Sequence, residues 1–166
     1  MKKIATVAVL AITSLIAACT NEGVATDAQR SQPQTQEAAQ ESVRLDKEGL
    51  LKAIGNPQTS RYGLDDGEGL KTMNQDGPVL KLEFRQGRVN IAWEVFNDDA
   101  KHEETNKQNA ALAKQALEYA IGPKAASEAM QSIETQKPAK LDALGHQVRV
   151  MPGSMQNLIT ISTEKK

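Results

Sequence analysis

The chain has 166 residues, with 20 basic and 21 acidic side chains, a formal net charge of −1 and 3% aromatic residues. That length fits one domain of ordinary size plus accessory segments. The near-balanced charge argues against nucleic acid as a partner, and the single cysteine leaves no intramolecular disulfide.

The first segment opens Met1-Lys2-Lys3 and continues through fifteen uncharged, mostly apolar residues from Ile4 to Ala18. Fifteen residues are too few to cross a hydrocarbon core as a helix, which takes about 20. A basic start, a short apolar stretch and small residues ahead of a cut site make a secretory signal. The stretch ends Leu15-Ile16-Ala17-Ala18-Cys19, which resembles the lipobox of bacterial lipoproteins. The resemblance covers residues 1–19 alone.

It implies removal of residues 1–18 and a diacylglyceryl group on the Cys19 thiol, followed by an N-acyl chain on the freed amine. These lipids are the only covalent groups expected, and no other cofactor is. Two or more chains anchor stably where one does not, at about 0.8 kcal/mol per buried methylene. An aspartate after the lipidated cysteine resembles an inner-membrane retention signal in enteric-type bacteria. This chain has Thr20 and Asn21 there, so the resemblance implies the outer membrane, facing the periplasm. Loss of Lys2 and Lys3 with the signal leaves 18 basic residues against 21 acidic ones, a net charge of −3.

Residues 20–42 contain five Gln, no aromatic residue and almost nothing large and apolar. Such a segment buries too little surface to offset its ordering entropy, and it reads as a disordered tether following the lipidated Cys19. A coil of 23 residues spans about 25–30 Å by the square-root rule.

Residues 43–166 read as a single α+β domain. Asp46 is a good helix N-cap, and Leu45 with Leu50 has the spacing of a hydrophobic staple. Leu50, Leu51 and Ile54 share one apolar face, and Gly55-Asn56-Pro57 stops the helix. The Gly- and Asp-rich run from Thr59 to Pro78 predicts loops, with a short strand near Arg61 and Tyr62.

A β-hairpin follows. Leu80, Leu82 and Phe84 alternate with Lys81, Glu83 and Arg85, Gln86-Gly87 turns, and Val89, Ile91, Trp93 and Val95 alternate again. The register of Trp93 with Val89, Ile91 and Val95 predicts a core position. Asn97, Asp98 and Asp99 suit the start of a helix running to about Ile121, with a later start available at Thr105 and Gln108. Leu112, Ala116, Leu117, Ala120 and Ile121 form its buried stripe.

Gly122-Pro123 breaks that helix and begins another, with Ala126, Ala129, Met130 and Ile133 facing inward. Lys137-Pro138 breaks the chain once more. A second hairpin runs from Val148 and Val150 through Pro152-Gly153-Ser154 to Leu158–Ser162. The expected architecture is an antiparallel sheet of about four or five strands in two hairpins, with helices packed on one face.

Candidate chemistry is sparse. Asp65, Asp66 and Glu68 gather three carboxylates among glycines, but their spacing does not match an EF-hand, and no metal is expected. His102 lies one helical turn from Asp98, where a carboxylate–imidazole pair could move a proton, and the polar first turn of an exposed helix explains the same residues. His146 follows Gly145 at the start of a strand and has only Asp142 nearby. Ser162 and Lys165 satisfy S-x-x-K without the partner motifs of that class. Arg61, Tyr62 and Arg88, in or beside loops, are the side chains expected to contact a partner.

The functional expectation is therefore a membrane-anchored envelope lipoprotein acting as a non-catalytic binding or accessory module on a protein partner in the periplasm. A protective lipoprotein (immunity, exclusion or inhibitor), a carrier of apolar ligands and a hydrolase-type enzyme are the alternatives. A carrier would show a large apolar cavity behind Leu80, Leu82, Trp93 and Leu112, and a hydrolase would place a carboxylate or histidine in its deepest pocket.

Overall fold

In the computed structural model, Asp46 caps the first helix, α1 (Lys47–Ala53), its side chain accepting the Gly49 N–H at 2.7 Å. The structure describes residues 42–72, 80–97 and 102–166. The signal, Cys19 and the tether up to residue 41 lie outside the described residues, as do Val79, Asp98 and Asp99. No helix among the described residues is long and apolar enough to cross a membrane.

Among the described residues, seven antiparallel strands form one sheet: β1 (Thr59–Leu64), β2 (Gly67–Thr72), β3 (Leu80–Arg85), β4 (Arg88–Glu94), β5 (Ala139–Ala143), β6 (His146–Met151) and β7 (Gln156–Lys165). Their order is β1-β2-β3-β4-β7-β6-β5. The α+β class and the antiparallel sheet stand, but the expected four or five strands are corrected to seven. The short strand expected near Arg61 and Tyr62 is β1, and the rest of the stretch read as loops up to residue 72 holds β2, paired with β1 across the turn at Asp65-Asp66. The other missed strand is β5, which pairs with β6 across Leu144-Gly145, both at positive φ.

One face of the sheet carries the core. Leu70, Leu82, Ile91, Ile159 and Val150 stand in register across β2, β3, β4, β7 and β6, and all are buried. Leu80 and Trp93 pair on a neighbouring rung, with Trp93 at 2% exposure. The helices cover this face. Helix α2 (Glu103–Glu134) presses Ala113, Ala116, Leu117 and Ala120 into the core from its first arm and Ala126, Ala129, Met130 and Ile133 from its second.

The arms meet at Gly122, whose φ of 80° and ψ of 159° are not helical, and Pro123 opens the second arm. The predicted break is therefore real, and its geometry is one that essentially only glycine adopts. The first arm begins at Glu103, later than the Asn97–Asp99 start that charge alone suggested. Asn106 reaches back to bond both the N–H and the carbonyl of Phe96.

Helix α1 adds Leu50 and Ile54 to the same core. It is held there by an ion pair from Lys47 to Glu68 of β2, by Lys47 over the Phe84 ring at 5.7 Å, and by Tyr119, which donates to Asp46 at 2.6 Å. Arg44 lies over the Tyr119 ring, 5.8 Å from its centre.

Candidate functional site on the open sheet face

Strand alternation sends every second side chain away from the helices. On that far side a single rung runs through all seven strands: Tyr62, Gly69, Glu83, Asn90, Thr160, Arg149 and Lys140. No described helix covers it.

Part of the rung is a continuous hydrogen-bonded chain. Thr160 Oγ1 donates to Asn90 Oδ1 at 2.9 Å, and Asn90 Nδ2 donates to Glu83 Oε2 at 2.9 Å. Tyr62 Oη donates to Glu83 Oε1 at 3.2 Å. Arg85 Nε also reaches Glu83, at 3.0 Å. The guanidinium of Arg85 bridges onward to Asp66, which Arg88 joins at 3.3 Å.

Glu83 is thus the junction of three donors. Burial pushes its carboxyl up, but the hydrogen bonds from Asn90, Arg85 and Tyr62 outweigh that and hold it below its ordinary range. The same junction acts oppositely on Tyr62. Burial, and then the Glu83 charge, push its phenol up to about 12. Among the described residues no buried side-chain nitrogen or oxygen lacks a hydrogen-bond partner.

Beside this chain the face sinks into a hollow of about 490 Å³ across β4, β7 and β6, lined by Arg88, Asn90, Thr160, Arg149, Met151 and Leu158 together with Gly87, Gln147 and Ser162. A second hollow of about 320 Å³ runs from Arg149 and Met151 to Pro138, Ala139 and Lys140 at the β5 edge. Arg149 donates to Gln147 at 3.0 Å and has no carboxylate partner among the described residues. The linings offer guanidinium, ammonium, amide, hydroxyl, thioether and alkyl groups.

The residues singled out from sequence fall on two faces. Tyr62 and Arg88 share the open face. Arg61 stands in register with Leu70, so it belongs to the helix side. The three loop carboxylates also separate: Asp66 serves Arg85 and Arg88 on the open face, Glu68 serves Lys47 on the helix side, and Asp65 stays exposed in the turn. No group of three metal-ligating side chains occurs among the described residues.

His102 stacks on Phe96 with ring centres 5.0 Å apart, and its proposed partner Asp98 lies outside the described residues. His146 is buried on the helix side, with Nδ1 2.9 Å from the Ser162 carbonyl. The Ser162 hydroxyl donates to the Glu164 carbonyl and accepts the Glu164 N–H. Residues that sequence reasoning did not single out, namely Glu83, Asn90, Arg149 and Thr160, form the centre of the open face. Their only signal was the polar phase of the alternating strands.

Comparison with protein-family models, curated proteins and solved structures finds no match for this chain.

Proposed function

We propose that this chain is a lipid-anchored, non-catalytic binding module of a bacterial envelope, tethered through Cys19 to the periplasmic side of the outer membrane and docking a protein partner on the open face of its sheet. The observation that carries the anchoring is Leu15-Ile16-Ala17-Ala18-Cys19, with the sole cysteine placed directly after two small residues. The docking reading is supported by a sheet face that no described helix covers and by the ordered polar chain across it.

One observation favours binding over an apolar carrier. Leu80, Leu82 and Trp93, behind which an apolar carrier would keep its cavity, are packed in the core.

The test is metabolic labelling with palmitate followed by membrane fractionation. The wild-type protein takes up label and sediments with outer membranes, while Cys19→Ser takes up none and leaves the membrane fraction. Equal labelling or equal sedimentation of the two forms overturns the anchoring.

A further inference from the structure

We infer that the groove on the open face receives an acidic, extended segment of a protein partner, its carboxylates paired with Arg88 and Arg149. The inference rests on the docking reading above and names the chemistry of what docks.

Three features select this occupant. The first is shape. The two hollows share Arg149 and Met151, and together they cross β4, β7, β6 and β5. Three strand spacings of about 4.8 Å give a groove of roughly 14 Å, which matches about four residues of extended chain. It is open to solvent along its length, which suits a chain passing through.

The second is charge. The mature chain is acidic overall, yet this groove is flanked by Arg88, Arg149 and Lys140. Arg149 has no carboxylate among the described residues, and Arg88 has only Asp66, which it shares with Arg85. Guanidinium groups pair with carboxylates through parallel N–H donors. Arg88 and Arg149 stand on either side of β7, offset by two residues along it, about 12 Å apart by strand spacing and rise, which fits carboxylates four residues apart in an extended segment.

The third is the floor. Met151 pairs with Leu158 across β6 and β7, and Met151 is 43% exposed. Apolar residues placed between the acidic ones would cover both. Thr160 and Asn90 are already committed to the hydrogen-bonded chain toward Glu83, so the floor is ordered before a ligand arrives, which lowers the entropy cost of binding.

The experiment uses the full-length lipidated protein in neutral detergent micelles and a fluorescein-labelled peptide alternating Glu and Leu. We expect saturable anisotropy that weakens at least about tenfold in Arg149→Gln and about threefold in Arg88→Gln, because Asp66 already satisfies part of Arg88. Replacing Glu by Gln in the peptide should cost about tenfold, and raising salt should weaken binding. Both arginines are partly exposed, and unchanged circular dichroism and melting temperature of the variants will show that the fold is intact.

No binding, or equal binding by the variants or by the Gln peptide, overturns the inference. Arg149-dependent binding of phosphatidylglycerol vesicles in place of the peptide also overturns it, in favour of a lipid ligand.

A parallel arm separates this failure from failure of the docking reading. A photo-crosslinking residue is placed in cells at Gln147, in the groove lining, or at Glu128, on the exposed side of α2. A discrete adduct from position 147 alone, with no peptide binding, removes the acidic ligand and keeps the docking face. Adducts from neither position, or equally from both, remove the docking face itself.

Discussion

The phenol ring of Tyr62 on β1 lies directly over Gly69 on β2, occupying the space that a side chain at Gly69 would need. The ring covers a strand residue with nothing of its own to pack, and its hydroxyl is thereby delivered to Glu83 on the next strand. We predict that Gly69→Ala costs about 1–3 kcal/mol by overpacking, although alanine is no poorer a strand former than glycine. Chemical denaturation measures the loss. A Gly69→Ala,Tyr62→Ala double variant should lose less than the sum of the single changes, and additivity would show that ring and glycine are not in contact.

Tyr62 should ionise late. Its phenol is raised from an ordinary value of 10.0 to about 12, so the folded form holds its proton more tightly than the unfolded chain. The associated stability is fully present below pH 10 and is lost as pH rises toward 12. Tyr119 is raised as well, chiefly by its hydrogen bond to Asp46. Absorbance at 295 nm in a Tyr119→Phe variant isolates Tyr62, since the chain has two tyrosines. A midpoint near 10 in the folded protein contradicts the Tyr62–Glu83 hydrogen bond.

Gly122→Ala tests the bend in α2 by the sign of its effect. In an unbroken helix interior, exchanging Gly for Ala stabilises by up to about 1 kcal/mol. At φ 80° and ψ 159° alanine is strained, and we expect a loss of about 1–3 kcal/mol, read from the shift in thermal midpoint. Any gain in stability would mean that the helix runs straight through.

Asp46→Ala should remove two interactions together: the cap on the Gly49 N–H and the acceptor for Tyr119. The expected cost is about 1–2 kcal/mol, and the Tyr119 phenol should ionise earlier than in the wild type. Asp46 is itself held below its ordinary value, first by the Tyr119 hydroxyl and then by the Gly49 N–H. Its contribution is therefore present above the normal carboxyl range and fades as pH falls through its lowered folded-state value. In acid the Asp46→Ala and wild-type stabilities should converge.

These particulars show what the sequence makes legible. The β3–β4 hairpin could be read because Leu80, Leu82 and Phe84, then Val89, Ile91 and Trp93, mark one phase without interruption. The α2 break could be read because Gly-Pro is a conformational instruction in itself. Strand β2 was hidden because Gly67 and Gly69 erase the apolar phase, and the covering group for Gly69 comes from another strand. Strand β5 was hidden by its length of five residues and its edge position. The open-face site was the least legible. Asn90 and Thr160 are 70 residues apart, and neither carries any local mark of the other. Which strands neighbour one another decides the groove, and alternation within a strand is silent on that.

The strand order has a consequence for how the chain reaches its native state. β4 and β7 are adjacent at the middle of the sheet, although α2, β5 and β6 come between them along the chain. The first four strands can pair locally as soon as they emerge, but they end in an unpaired β4 border with Val89, Ile91 and Trp93 already patterned for burial. Only the last strand seals that border. A polypeptide made amino end first would therefore carry a sticky half-sheet until β7 had joined β4, the interval in which a holdase would matter most.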